Sequence, residues 1–150
     1  MSAPATAETL IEQLSLAPHP EGGWYRETWR APSNADGRAG GTAIVFLLKA
    51  GESSHWHRVD AEEIWIWQGG DPLNLRIAHS DAGPVKTLRL GGDMAAAEQL
   101  QGIVPTGAWQ AAASALDCAE HGYTLVSCVV VPGFDFAGFT LATPGWEPGT

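Results

Sequence analysis

Basic side chains are scarce in this chain of 150 residues: 8 Lys and Arg stand against 17 Asp and Glu, a formal net charge of −9. With no Lys/Arg stripe to offset it, such a surface repels a phosphate backbone and an anionic bilayer alike, so no nucleic acid and no membrane are expected as partners. Cysteine is rarer still. Cys118 and Cys128 form no metal-binding spacing and are too few for a disulfide scaffold, so both read as free thiols in a reducing, cytoplasmic setting. No run approaches the roughly 18 consecutive apolar residues of a membrane span. The opening MSAPATAETL also lacks the basic start and apolar stretch of a secretory signal.

What the chain has in excess is turn residues, 18 Gly and 10 Pro. Many turns in a chain sized for one domain, residues 1–150, predict many short strands. A single helix is expected over about 7–16: Leu10, Ile11 and Leu14 recur at helical spacing, Thr6 stands where an N-cap belongs, and Pro18 forbids continuation. From about residue 22 to 142 the pattern is β. The segment Trp24 to Arg30 is aromatic and strand-like, and Thr42 to Leu48 (TAIVFLL) is a continuous β-branched run between glycines. Further strands are expected over 54–58, 62–68, 73–79, 84–89, 99–104, 108–113, 123–131 and 136–141, with 94–99 open as a helical turn. Strands without strand–helix alternation define an all-β sandwich, barrel or jelly roll.

The chemistry concentrates in Ser54-His55-Trp56-His57 and the following Glu62-Glu63. On a regular strand His55 and His57 project to one face, where two imidazoles and a carboxylate make the ligand set of a non-haem iron, manganese, nickel or zinc site. Without a metal, His57 is suited to general acid–base work. Tryptophan is abundant at 7 residues. By parity Glu63, Trp65 and Trp67 share one face and Glu62, Ile64 and Ile66 the other. A cavity at Glu63 is expected to have Trp65 and Trp67 on its wall, with Trp109 as a further aromatic contact, whereas a cavity at Glu62 would be walled by isoleucine and leave the tryptophans to an interface or solvent. Arg26 is read as an anchor for a ligand carboxylate or phosphate, or as the partner of Glu21 or Glu27.

These residues carry a resemblance. Gly51-x3-His55-x-His57-x4-Glu62-x6-Gly69, or the same with Glu63-x6-Gly70, is similar to the first motif of the cupins, and Pro105-x-Gly107-x2-Gln110-x3-Ser114 to the second. The blocks HPEGGWYRETWR, SHWHRV, EEIWIWQGGDPL, VPTGAWQ and VPGFDF resemble a small cupin family of unassigned function that shares its fold with the deoxythymidine-diphosphate-sugar epimerases. They span about residues 19–141. The resemblance implies a jelly-roll β-barrel with a short N-terminal helix, a homodimer, and a cavity holding a small polar ligand such as a sugar or nucleotide derivative. It favours Glu63 over Glu62. It also places Gln110 where metal-binding cupins carry a histidine, so a divalent metal would be held by His55, His57, Glu63 and Gln110. The epimerases pair a histidine base with a tyrosine acid, for which Tyr25 and Tyr123 are the candidates.

Three readings follow. In the first, an enzyme transfers protons through His57 as acid and base, with Glu63 and Gln110 as its polar partners at the catalytic site, Arg26 as an anchor, and Trp65, Trp67 and Trp109 around the ligand. The second is a cupin that binds a ligand without turning it over. The third is a metal-dependent oxygenase or isomerase. The segment Pro132-Gly133-Phe134-Asp135-Phe136 either caps the cavity or packs beneath the barrel.

Overall fold

The computed structural model describes residues 5–117 and 119–150, so Cys118 lies outside the described residues. A helix, α1 (Ala7–Gln13), is capped by the Thr6 side chain, which accepts from the Thr9 amide. It stops earlier than the apolar spacing predicts. Leu14 is the C-cap and Ser15 adopts a positive φ of 55°, which turns the chain into β1 (Ala17–Pro18). The strands that follow are β2 (Trp24–Arg30), β3 (Thr42–Lys49), β4 (Ser53–Val59), β5 (Glu62–Gly70) and β6 (Leu73–Ala78). After them come β7 (Lys86–Leu90), β8 (Gln101–Val104), β9 (Trp109–Ser114), β10 (Tyr123–Val131) and β11 (Phe139–Leu141). The open stretch 94–99 contains a single 3-10 turn, Met94–Ala96, and the first part of the strand expected over 136–141 is a second one, Phe136–Gly138. There Asp135 accepts from the Ala137 amide, a local bond that competes with a strand ladder.

The strands form two antiparallel sheets, in the order β1-β2-β3-β10-β5-β8 and β11-β4-β9-β6-β7. From β3 onward the chain passes back and forth between them, except at the β6–β7 hairpin, which stays within the smaller sheet, so most strands adjacent in sequence face each other across the core. This is a jelly roll, and the expected all-β architecture is the one observed. Along each strand of the larger sheet the inward residues divide into two levels. Phe46 and Leu48 of β3, Trp65 of β5, and Val126 and Cys128 of β10 meet Leu73, Leu75 and Leu90 in a closed apolar core. Toward the other end of the same strands, Thr42, Ile44, Glu63 and Val130 border open space instead. One half of the barrel is packed solid and the other is a vessel.

Candidate functional site

The open half is a cavity of about 580 Å³, large enough for a small organic molecule. Phe134, Phe136 and Phe139 form one wall, their rings 4.8 to 5.9 Å apart, with Ile44, Val59 and Val130 continuing the apolar lining. The segment 132–136 therefore caps the cavity, through Phe134, Asp135 and Phe136. At the polar pole stand His19, Glu21, His57 and Glu63, all buried.

How the chain brings them together begins with an irregularity in β4. Opposite β9, Ser54 pairs with Ala112 and His57 with Gln110, so three steps along β4 match two along β9. This bulge reverses the alternation of side chains. Ser54 and His57 both point inward, and both reach the same carboxylate. His55 turns away, and its Nε2 lies 3.0 Å from the Thr143 carbonyl. The amide of His55 finds its acceptor outside the sheet, in the Glu21 carbonyl at 2.8 Å. The loop that brings Glu21 there depends on Gly22, whose φ is +108° and where a Cβ would stand 2.2 Å from the Ser53 carbonyl oxygen.

Glu21 is the hub. Its carboxylate meets His57 Nε2 at 2.8 Å and accepts from Ser54 Oγ at 2.5 Å. On the other side of the His57 ring, Nδ1 donates to the His55 carbonyl at 2.7 Å. Burial alone would push His57 below its ordinary value, but the Glu21 charge and hydrogen bond, with Glu63 adding to them, raise it to about 9. Burial likewise favours the neutral form of Glu21, and His57 overcomes this to hold its carboxyl below the usual range. The two form a buried ion pair.

Glu63 is the contrasting carboxyl. Burial raises its pKa to about 7, with the Glu21 charge adding and His57 and Gln110 opposing. Trp65 Nε1 donates to Gln110 Oε1 at 2.8 Å, which leaves the Gln110 amide nitrogen to donate to Glu63 Oε1 at 2.9 Å. That chain fixes both the amide orientation and the carboxyl. Glu62, by contrast, is exposed and accepts from Thr106 Oγ1.

Other expected contacts are placed differently. Trp65 and Trp67 do share the face of Glu63, but they sit at the closed level of the barrel and are not among the residues lining the cavity. Trp67 Nε1 donates to the Asp71 carbonyl. Trp109 lies on the outer side of the smaller sheet, packed at a tilt against Trp146 with ring centroids 4.6 Å apart. Gln110 acts through Glu63 rather than on the cavity wall. Arg26 does line the cavity, yet its Nε donates to the Leu14 carbonyl at the end of α1, not to Glu21 or Glu27. Of the tyrosines, Tyr25 lines the same cavity as His57, whereas Tyr123 packs among the residues beneath α1. Cys128 is a free, buried thiol against Glu63.

A divalent metal does not fit these residues. Both His57 nitrogens are engaged, one on Glu21 and one on a carbonyl, and an imidazolium has no lone pair to give. The bulge sends His55 to the opposite side of the sheet, and Gln110 spends its amide on Trp65 and Glu63. Among the described residues no group of three or more His, Cys, Asp or Glu is arranged to hold a metal ion.

Sequence reasoning missed His19 and Glu21. The signal was present in HPEGG, where two successive glycines, both at positive φ, follow the pair and let the loop fold back beneath β4. Nothing in local periodicity tied that loop to His57.

A jelly-roll barrel with one open, polar-floored end defines a cupin. The chain matches the family described as cupin superfamily, DUF985, over residues 8–142, and it belongs to that family. A protein from Shewanella oneidensis, SO0799, is 38% identical with a TM-score of 0.85, the match covering 93% of this chain and 86% of that one. A hypothetical protein from Leishmania major is 37% identical at a TM-score of 0.84, covering 93% and 88%. The uncharacterised Saccharomyces cerevisiae protein YML079W is 29% identical over 154 residues, 92% of this chain and 76% of that protein. Oxalate decarboxylase from Bacillus subtilis shares the fold alone, at 15% identity and a TM-score of 0.59, over 83% of this chain and 29% of that one.

Proposed function

We propose that this cupin is an enzyme that moves a proton on a small polar molecule held in the barrel, with Glu63 as the acid and base. The observation that supports this most directly is the Glu63 carboxyl on the cavity wall, oriented through Gln110 and Trp65 and balanced between its two protonation states near neutral pH. A general base works best when its pKa lies near the working pH. His57 has a different part. Held cationic by Glu21, it supplies the fixed positive charge that lets Glu63 ionise in a buried site. The proton-carrying role that the sequence suggests for His57 passes to Glu63. The phenylalanine wall suits a ligand with an apolar or ring face, as a sugar or nucleotide derivative has.

The test is deuterium incorporation from solvent into a panel of sugars, sugar nucleotides and small hydroxy and oxo compounds, read by mass spectrometry. One or more members exchange with the wild-type protein, and Glu63→Gln lowers that rate by about 10²–10⁴. Glu63→Gln exchanging at the wild-type rate would overturn the proposal. A second reading, a cupin that only binds its ligand, rests on the aromatic wall. It predicts binding without exchange for every member of the panel.

A further inference from the structure

His19 is buried at the pole of the cavity and held there by rings. Tyr25 lies edge-on to it at 4.5 Å, Phe46 and Phe139 at 6.1 Å each. The Glu21 backbone amide donates to His19 Nδ1 at 3.1 Å. An amide N–H can only donate, so Nδ1 is bare and the ring hydrogen sits on Nε2. The 3.3 Å approach of Nδ1 to the Glu21 carboxylate is accordingly a contact and not a second donated bond. Burial, with the nearby His57 charge, pushes the ring below its ordinary pKa against the pull of Glu21, which keeps it neutral.

Nε2–H has no hydrogen-bond partner among the described residues. It is not sealed off either: the buried side-chain polar atom without a partner among those residues is Trp24 Nε1. Because His19 lines the cavity, its N–H opens there. A neutral imidazole N–H in a buried site is a donor that keeps its proton, the kind of group that stabilises negative charge developing on an oxygen.

We infer that the ligand is a carbonyl compound whose oxygen accepts a hydrogen bond from His19 Nε2–H while a C–H on the carbon next to that carbonyl faces Glu63. The inference rests on Glu63 as the proton carrier. Ionised Glu63 takes the proton from that carbon, and the C–H electron pair becomes the new carbon–carbon double bond. The carbonyl π pair moves onto the oxygen, where His19 N–H stabilises the enolate without releasing its proton. Return of the proton from the Glu63 carboxylic acid to carbon completes an exchange, an epimerisation or a double-bond shift. No oxidant, metal or further reactant enters.

The test uses a series of substituted phenols, whose phenolate oxygen stands in for an enolate, together with nitrogen-15 NMR of the histidine rings in the full-length wild-type protein at neutral pH. The expected His19 spectrum shows a bare Nδ1 and a protonated Nε2, and the Nε2–H signal moves when a phenol binds. Affinity falls about 10-fold or more in His19→Leu, and His19→Gln, which retains an N–H donor, recovers part of it. Glu63→Gln binds phenolates at least as tightly as wild type, because a carboxylate has been removed from beside the anion. A doubly protonated ring, a proton on Nδ1, no binding by any phenol, or a folded His19→Leu with unchanged affinity would each overturn the inference. If His19→Leu does not fold, the wild-type ring spectrum decides. Failure of the proton-carrier reading shows elsewhere, in deuterium exchange that survives Glu63→Gln.

Discussion

The two sides of β4 carry similar residue types and do opposite things with them. On the inner side Ser54 and His57 meet Glu21 in a buried, fully paired cluster at the pole of a cavity. On the outer side His55 and Trp56 join Trp109, Trp146 and the C-terminal segment. There the charges sit over rings: Arg58 is 4.7 Å from the Trp109 ring and Arg76 is 5.0 Å from Trp56. Cation–π contacts of this kind tolerate water, contribute about 0.5–1 kcal/mol at exposed sites, and need no exact protonation state. The inner ion pair is buried, so its charges lean on each other more than on bulk solvent. Its members hold each other's charge, and whatever disturbs one is felt by the next. The outer side is a fastening, and the inner side is a chemical instrument.

The largest effect should come from breaking the inner pair. Glu21→Ala leaves His57 buried without its counter-charge and Ser54 without its acceptor, and should destabilise the protein by about 3–5 kcal/mol in chemical denaturation. The same pair sets the pH response. His57, raised from 6.5 to about 9, adds stability that is complete below about 6.5 and is lost as pH rises through about 9. Glu63, raised from 4.5 to about 7, works in the same direction, since ionising it in the folded state becomes a growing cost as pH rises from 4.5 through about 7. Glu21, lowered from 4.5, stabilises above that value and loses this as pH falls through its depressed pKa. The melting temperature of the wild type should therefore be highest in mildly acidic solution and fall toward pH 9 and beyond. In Glu21→Ala the part of the alkaline decline due to His57 should disappear. An alkaline limb of equal steepness in both proteins would show that His57 is not held cationic by Glu21.

This division is only partly legible in the sequence, and the reason is physical. Strands and turns announce themselves through period and through Gly and Pro, so the jelly roll and most of its strands follow from local pattern. Parity along β5 is also local, but it only places Glu62 and Glu63 on opposite faces; the preference for Glu63 comes from the resemblance to the cupins, and the cavity wall carries Glu63. The β4 bulge is different. It falls at Ser54-His55-Trp56-His57, which contains no glycine or proline, and its stabilising partner is a carbonyl 34 residues earlier in the chain, at Glu21. A regular strand would have joined His55 and His57 on one face, and one extra residue separates them. The tryptophans illustrate a second limit. Parity places Trp65 beside Glu63, but which level of the barrel is open depends on how Leu73, Leu75 and Leu90 fill the other one. That filling is a property of the assembled sheets.

A moderate effect should come from the support behind Glu63. Gln110→Leu keeps the volume but removes both the acceptor of Trp65 Nε1–H and the donor to Glu63 Oε1. Two buried polar groups lose partners, which costs about 1–3 kcal/mol each at most. Because the lost amide hydrogen bond had favoured the carboxylate, Glu63 should titrate above its present value of about 7. Any pH–rate profile that depends on ionised Glu63 should then shift toward higher pH while the ligand affinity of the neutral form changes little. A profile that stays in place would separate Gln110 from the positioning of Glu63.

The smallest effect sharpens the comparison most. His55 is half-buried on the outer side, with one ring nitrogen near the Thr143 carbonyl and no contact to the cavity. His55→Ala should cost about 0.5–1.5 kcal/mol, the value of one ordinary hydrogen bond, through weaker seating of the C-terminal segment. It should leave ligand binding, deuterium exchange and the alkaline stability limb as they are in the wild type. The same substitution at His57 should alter all three, because it removes the cation between Glu21 and Glu63. On a regular strand the two histidines would be equivalent ligands, and their alanine variants would fail together. Identical losses in ligand binding and exchange in the two variants would mean that the bulge does not part them. A small loss of stability in one and the loss of function in the other would show that a single extra residue in β4 assigns the two histidines to different tasks.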